Sequence, residues 1–468
     1  MASGSNEYEV MIRSVETVIP EVLVQEQRLP QSNFDLLLPP LDVSLYFCFQ
    51  KPTPTTCQDA SVGFTTFPTM VAALKAALSK ALVIYYTLAG EFVTNAAGEP
   101  EILCNSRGVD LIEAYAEVDL RELNLYSPDD SVEAKLLPKK INGILCIQVT
   151  KLRCGAMVVG CKFDHRAADA YSFFMFMSAW ADIARNKPIN QIPSYCRFLL
   201  SSQIVSPSNS SGPTFDRIFT PLSFLPPVNP KTSSEIVSRI YYISAVDIAR
   251  LQELSGHSHS KLVCFIAYFW KILARSACRG EKSCSMGAVV NGRSFMKTVH
   301  GDNVLKNYFG NVLSVPFGNL QVKTLLDMKL VEVADEVNKW LSPTTTEDHF
   351  LGLHDWVEAR RPESMIATIF ASEDSKEEDK SVSCVVSSGR WFPEIDFGWG
   401  NAAFWSCHFP KREKGGFLMP IPRPTTGDWV LYTQVAPSIV AAMEQEPTIF
   451  HPLRNLAVYK SSSSRARL

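Results

Sequence analysis

The period of hydrophobic and polar positions changes repeatedly along the chain, and each change marks an element. At the start, EYEVMIRS alternates and puts Tyr8, Val10 and Ile12 on one face, which predicts a strand. Residues 67–82, FPTMVAALKAALSKAL, carry apolar positions at helical spacing behind a Pro, so they predict a helix. The apolar run VIYYTLAGEF follows and ends in a Gly turn. Residues 143–164 read as two apolar strands joined by a turn around Leu152–Gly155. A short polar turn then leads into DAYSFFMFMSAWADIARN, an apolar helix with Asp169 at its N-cap.

Between residues 201 and 236 the periodicity stops. The stretch is rich in Ser and Pro and reads as a long crossover between two halves, an N-terminal domain over 1–200 and a C-terminal domain over 237–468. The second half restarts with a strand and a helix in SRIYYISAVDIARLQELS. A buried helix follows in KLVCFIAYFWKILARSA. CSMGAVVNGRSF and NYFGNVLSVPF read as strands with Gly-marked ends, and SEDSKEEDKS as an exposed charged loop. No repeat of 20–50 residues is visible. Strands interleaved with helices imply an α/β fold in two halves.

Composition narrows the function. At 468 residues, 46% hydrophobic and 20% charged, the chain can bury a large core and is not a disordered one. A net charge of −3 lacks the basic excess of an electrostatic nucleic-acid binder. No continuous apolar run approaches the ~18 residues that span a bilayer, so no membrane partner is expected. The first residues carry Glu7 and Glu9 and no apolar h-region, unlike a secretory signal, and Ala follows the initiator Met, which excludes myristoylation on Gly. The twelve cysteines are scattered and form no Cys-x-x-Cys pair, so they read as free thiols in a reducing compartment. A cytoplasmic protein is expected. The alternative is peroxisomal import through Ala466-Arg467-Leu468, which has the small–basic–Leu form of such an address behind a Ser-rich tail.

The common signatures of phosphate, dinucleotide, nucleophilic-serine and zinc-protease sites are absent. His257 and His259 have no acidic or Cys partner beside them, so no metal is expected. Two segments remain. Asp164-His165-Arg166-Ala167-Ala168-Asp169 contains His-x-x-x-Asp, with His165 at a strand end before a helix. A neutral His in that place can act as a general base, because its ordinary pKa is near working pH. Asp396-Phe397-Gly398-Trp399-Gly400 spells a tight turn: its glycines permit positive φ and its aromatics pin it to a core.

Together, in this order and half a chain apart, these segments resemble the BAHD family of plant acyl-CoA-dependent acyltransferases. TLAGEF (87–92), VVNGRSF (289–295) and NYFGN (307–311) are similar to further motifs of that family, the last two to its strand motifs in the second domain. There are departures: Ala170 follows Asp169 where Gly is common, Thr87 and Glu91 replace Pro and Arg, and Gly389 stands in place of Trp. The resemblance implies two similar domains of chloramphenicol-acetyltransferase type with a channel between them. It implies acyl-CoA as co-substrate, no bound cofactor, a small alcohol acceptor and a monomer.

The resemblance also implies roles. His165 is the general base. Asp396 is counted as catalytic in the family, although its neighbours spell a turn and point to a structural role, as for Gly398 and Trp399. Asp169 is implied to pair with Arg293. Ser387, Ser388 and Gly389 are implied to form the oxyanion and acceptor region. Ser260 and Lys261, before a helix, are candidates for CoA phosphate. HRAADAYS and Ser-Ser-Gly are similar to the branch that acylates hydroxycinnamyl alcohols such as coniferyl alcohol. A hydroxycinnamoyl or benzoyl donor with another alcohol or an amine is the alternative, as is a non-catalytic binding member.

Overall fold

The computed structural model describes residues 8–53, 66–201, 212–224, 236–277, 282–297, 304–371, 381–387, 393–410, 415–423 and 425–456. The charged stretch 372–380, Ser388, Gly389 and the tail 457–468 lie outside the described residues. Two large sheets organise the chain. The first has six strands and runs, edge to edge, Val10–Val18, Val109–Ala116, Leu145–Leu152, Met157–Asp164, Asp42–Phe49 and Phe404–His408. The last of these comes from the second half of the chain. It pairs antiparallel with Asp42–Phe49, Phe404 opposite Cys48 and His408 opposite Ser44. The second sheet has eight strands, centred on Ser283–Asn291, Ser381–Ser387, Gly416–Pro422, Trp429–Val435 and Val237–Ile243.

Helix Phe67–Ile84 forms as its spacing predicts, with Thr66 capping it and Pro68 in its first turn. It is also the one described helix long and apolar enough to cross a membrane by length and composition, which corrects the expectation that no such segment exists. Its setting is that of a core helix. Met70, Leu74, Leu78, Ala81 and Leu82 are buried in the first core, and Lys75 meets Glu16 and Glu113 at 2.6 Å each. Helix Ala170–Ala184 packs beside it, with Trp180 Nε1 donating to Leu74 O at 3.0 Å. A second core lies between helix Lys261–Ser276 and the outer face of the eight-stranded sheet. A third joins Phe34, Leu36 and Leu37 from the first half to Val290, Phe350 and Val385 from the second.

Three segments depart from the sequence pattern. Tyr8, just before the strand Val10–Val18, is buried, but Ile12 within it is 63% exposed, because this is an edge strand with a register shift between Ile12 and Ser14. Within the crossover, Gly212–Ile218 is a short helix followed by the strand Phe219–Pro221, and Phe215, Ile218 and Phe219 feed the third core. NYFGN is not a strand. After a 3-10 turn at Val304–Asn307 the chain is irregular up to the two-residue strand Leu313–Ser314, and Gly310 sits at φ +144°. A strand would commit the Tyr308 and Gly310 carbonyls to a ladder, and both are taken by Arg293.

The borrowed strand predicts a contrast. Phe404→Ala, at a fully buried ring, is expected to cost about 3–5 kcal/mol. Ile12→Ser on the exposed edge is expected to change stability by less than about 0.5 kcal/mol. Denaturant titration of the two variants checks the difference.

Candidate active site

His165 is placed by the end of one strand and the start of one helix. Met157–Asp164, an interior strand, delivers it to the end of the sheet, and Asp169 caps Ala170–Ala184 by accepting from Ser172 N at 2.9 Å. The turn between them is held on both sides. His165 N donates to Leu41 O at 2.9 Å. Arg166 grips Asp164 through Nε and Nη2 at 3.0 and 2.7 Å, and its guanidinium lies 4.0 Å over the Phe92 ring. Phe92 belongs to TLAGEF, so that motif supports the turn from below. Gly90 in the same motif touches Leu103 O so closely that a Cβ would sit 2.5 Å from it.

Asp169 does not face His165. Its Oδ2 accepts from Arg293 Nη1 at 2.5 Å and from Val312 N at 3.3 Å. The two side chains are 2% and 5% exposed. Arg293 Nη2 also donates to Ser172 Oγ and Gly310 O, at 3.0 and 2.9 Å. Gly292, just before it, packs on Phe350 with no room for a Cβ. The NGR and NYFGN segments therefore form one cradle that closes on the helix cap of the other half.

A second buried network fixes the His165 backbone. Asn311 Nδ2 donates to the His165 carbonyl at 3.0 Å, the Arg166 carbonyl at 3.2 Å and Asp35 Oδ1 at 2.9 Å. Asp35 is held in turn by Ser32 and by Arg197, whose Nη2 is 3.4 Å from it. Asp35, Ser172, Arg197 and Asn311 had no assigned role in the sequence. Asn311 stood inside a recognised motif, and Asp35 was a lone acid within an apolar run, which demands a partner if buried.

The His165 ring lines a cavity of about 690 Å³. Its Nδ1 is buried and has no partner in hydrogen-bond geometry among the described residues, so Nε2 is the nitrogen turned to the cavity. Burial pushes the ring's pKa below 6.5. Its own main-chain carbonyl, Asp169, Asp164 and the Asn311 side chain oppose that shift only in part. For the ring to act as a base toward the cavity, its hydrogen must sit on Nδ1 so that the Nε2 lone pair is free.

The cavity follows the inner face of the eight-stranded sheet. Helix Lys261–Ser276 returns into strand Ser283–Asn291, with Trp270 Nε1 on Cys284 O, so the helix N-terminus lies toward the Asn291 end. Ser260, Leu262, Asn291 and Ser387 line the cavity there. Ser383 and Gly415 line its other end, and Phe34, Leu37, Phe409 and Phe417 give it an apolar wall. Asp169 and Arg293 border it while spent on each other. Lys261 is exposed and outside the lining, and Ser388 and Gly389 are outside the described residues.

Asp396 is also outside the cavity lining. Its Oδ1 accepts from Gly398 N and Gly400 N at 2.8 and 2.9 Å, and its Oδ2 lies 3.5 Å from Arg185 Nη1. Gly398 and Gly400 adopt φ +114° and +102°. Phe397 and Trp399 pack edge-on against Phe49 in the first core. His259 Nε2 is engaged by Asp335 at 2.9 Å.

The profile of the Transferase family matches residues 8–449. The hydroxycinnamoyltransferase of Narcissus pseudonarcissus is 24% identical over 88% of this chain and 93% of its own length. The benzyl alcohol O-benzoyltransferase of Petunia hybrida is 25% identical over 76% of this chain and 79% of its own. The crystal structure of vinorine synthase superposes with a TM-score of 0.68 at 18% identity, over 96% of this chain and all of that one.

The buried pair makes a prediction. Asp169→Ala and Arg293→Ala each leave an unpaired buried charge and are expected to cost about 3–5 kcal/mol. The double variant is expected to cost clearly less than the sum of the two. Denaturant unfolding of the three variants checks it, and strict additivity would contradict a direct pair.

Proposed function

The chain belongs to the Transferase family, the BAHD acyl-CoA-dependent acyltransferases, and from that premise we propose that it acylates the hydroxyl of a phenylpropanoid alcohol of the coniferyl type, giving an ester. Acyl-CoA is the co-substrate. The observation that carries the reading is the setting of His165: a neutral imidazole with Nε2 open to a cavity whose far wall is apolar and aromatic. Of the cations that line the cavity, Arg293 is tied to Asp169 and Lys306 stands beside Tyr171. The rest of the described lining is largely apolar, Phe34, Leu37, Phe409 and Phe417 among it, and holds no further Lys or Arg. Such a lining favours an uncharged aromatic acceptor over a carboxylate. The relatives named for hydroxycinnamoyl transfer and for benzyl alcohol support acceptors and donors of this aromatic class.

In this reading Nε2 takes the proton of the acceptor hydroxyl as its oxygen attacks the thioester carbonyl. The tetrahedral oxyanion collapses, the C–S bond breaks, and the imidazolium returns the proton to the departing CoA thiolate. No acyl-enzyme forms. The thioester arm enters past the N-terminus of Lys261–Ser276, where unpaired N–H groups and the Ser260 cap favour phosphate oxygens. Asp169 takes no part in proton transfer; it holds the turn.

Release of free thiol from acyl-CoA tests the function. Thiol release that requires the alcohol is expected; release without acceptor means hydrolysis, and none over a broad panel of acyl-CoAs, alcohols and amines means a binding protein. His165→Ala is expected to lower turnover by ~10²–10⁴ with the fold intact. The base must be neutral, so activity is present above its pKa and lost as pH falls through it. Because burial lowers that pKa, the acid limb of kcat/KM is expected below pH 6.5. A limb at or above 6.5 contradicts the assignment.

A further inference from the structure

We propose that Gln434 selects the acceptor by accepting a hydrogen bond from a second hydroxyl at the far end of that molecule from the one acylated. The proposal rests on the reading that the acceptor lies against the apolar lining of the cavity, and deepens it. Gln434 stands on strand Trp429–Val435 opposite Phe417, so both side chains share the cavity face of the sheet. It is 3% exposed, which is unusual for a glutamine and calls for satisfied polar atoms.

Only half of its amide is satisfied by the protein. Nε2 donates to Phe409 O at 2.7 Å and to Tyr432 Oη at 3.4 Å. A main-chain carbonyl can only accept, so the NH₂ end must face Phe409, and the orientation of the amide is fixed. Oε1 has no hydrogen-bond partner among the described residues, yet it is not sealed off like the buried orphans elsewhere in the fold. It is a preset acceptor directed at the cavity. What it recognises is a donor, O–H or N–H; an ether, carbonyl or carboxylate at that place would repel it.

The strand order separates Gln434 from the His165 turn. Phe409 follows His408, the partner of Ser44, and the neighbouring Val43 pairs with Phe163 just before Asp164 and His165. Two strand spacings separate the Phe409 and Phe163 backbones, or about 10 Å. Gln434, tied to the Phe409 carbonyl, thus stands away from the His165 turn along the same cavity, so a ligand that meets both presents donors at two ends. A 4-hydroxylated cinnamyl alcohol has donors at both ends.

The test compares p-coumaryl alcohol with cinnamyl alcohol, which lacks only the 4-hydroxyl, at fixed acyl-CoA. Wild type is expected to favour the hydroxylated alcohol about 10-fold or more in kcat/KM. In Gln434→Leu the preference is expected to fall to near one, through loss on the hydroxylated member alone and with KM for acyl-CoA unchanged. Gln434→Met, of similar length, serves if the Leu variant does not fold. Equal use of the two alcohols by wild type, or a preference retained in the variants, overturns the proposal. If amines rather than alcohols are turned over, tyramine and phenethylamine form the matched pair and decide Gln434 in the same way, while the alcohol reading alone fails. No turnover with either pair overturns both.

Discussion

The contact between Asp169 and Arg293 is the constraint on which the site depends. One partner is the cap of the helix that follows the His165 turn, and the other comes from the NGR segment of the second half. Each group is buried, so each needs the other, and the arginine's remaining donors need the carbonyls of Tyr308 and Gly310 and the Ser172 hydroxyl. Such a pair adds little net stability over a well-packed apolar pair, because both charges lose water. Its value lies in position. Only one docking of the two halves satisfies every donor, and in that docking Asn311 reaches the His165 and Arg166 carbonyls.

The chemistry follows from what this arrangement withholds. In many hydrolases a carboxylate orients the catalytic imidazole and stabilises its charged form. Here the one carboxylate at the right spacing is taken by arginine. The ring is left with a buried Nδ1 and with burial as the dominant influence on its pKa. A base kept neutral by desolvation is ready at neutral pH without any conformational trigger. The cost is a weaker drive to hold the proton, which suits a proton that must be handed on to a thiolate.

The parts of the fold legible in the sequence are those that local physics decides. The apolar helix at 169–186, its Asp cap and the hairpin around Leu152–Gly155 follow from period and turn chemistry, and the structure has them within a residue or two. NYFGN misleads because its apolar residues are buried by tertiary packing while its carbonyls serve Arg293, a partner distant in sequence. The same holds for Phe404–His408, whose pairing with the first sheet no local pattern announces. His165 and Asp169 were visible as a spaced pair. Gln434 was not, since nothing in WVLYTQV distinguishes a glutamine facing a cavity from one facing water.

The central claim is that docking the two halves leaves His165 neutral, with its hydrogen on Nδ1 and its Nε2 lone pair toward the cavity. Nitrogen-15 NMR of the His165 ring, assigned through the His165→Ala variant, reads both protonation and tautomer as pH is varied. The account predicts a neutral Nδ1–H ring at pH 7 that titrates below 6.5. A ring that is charged at pH 7, or that carries its hydrogen on Nε2, would contradict it.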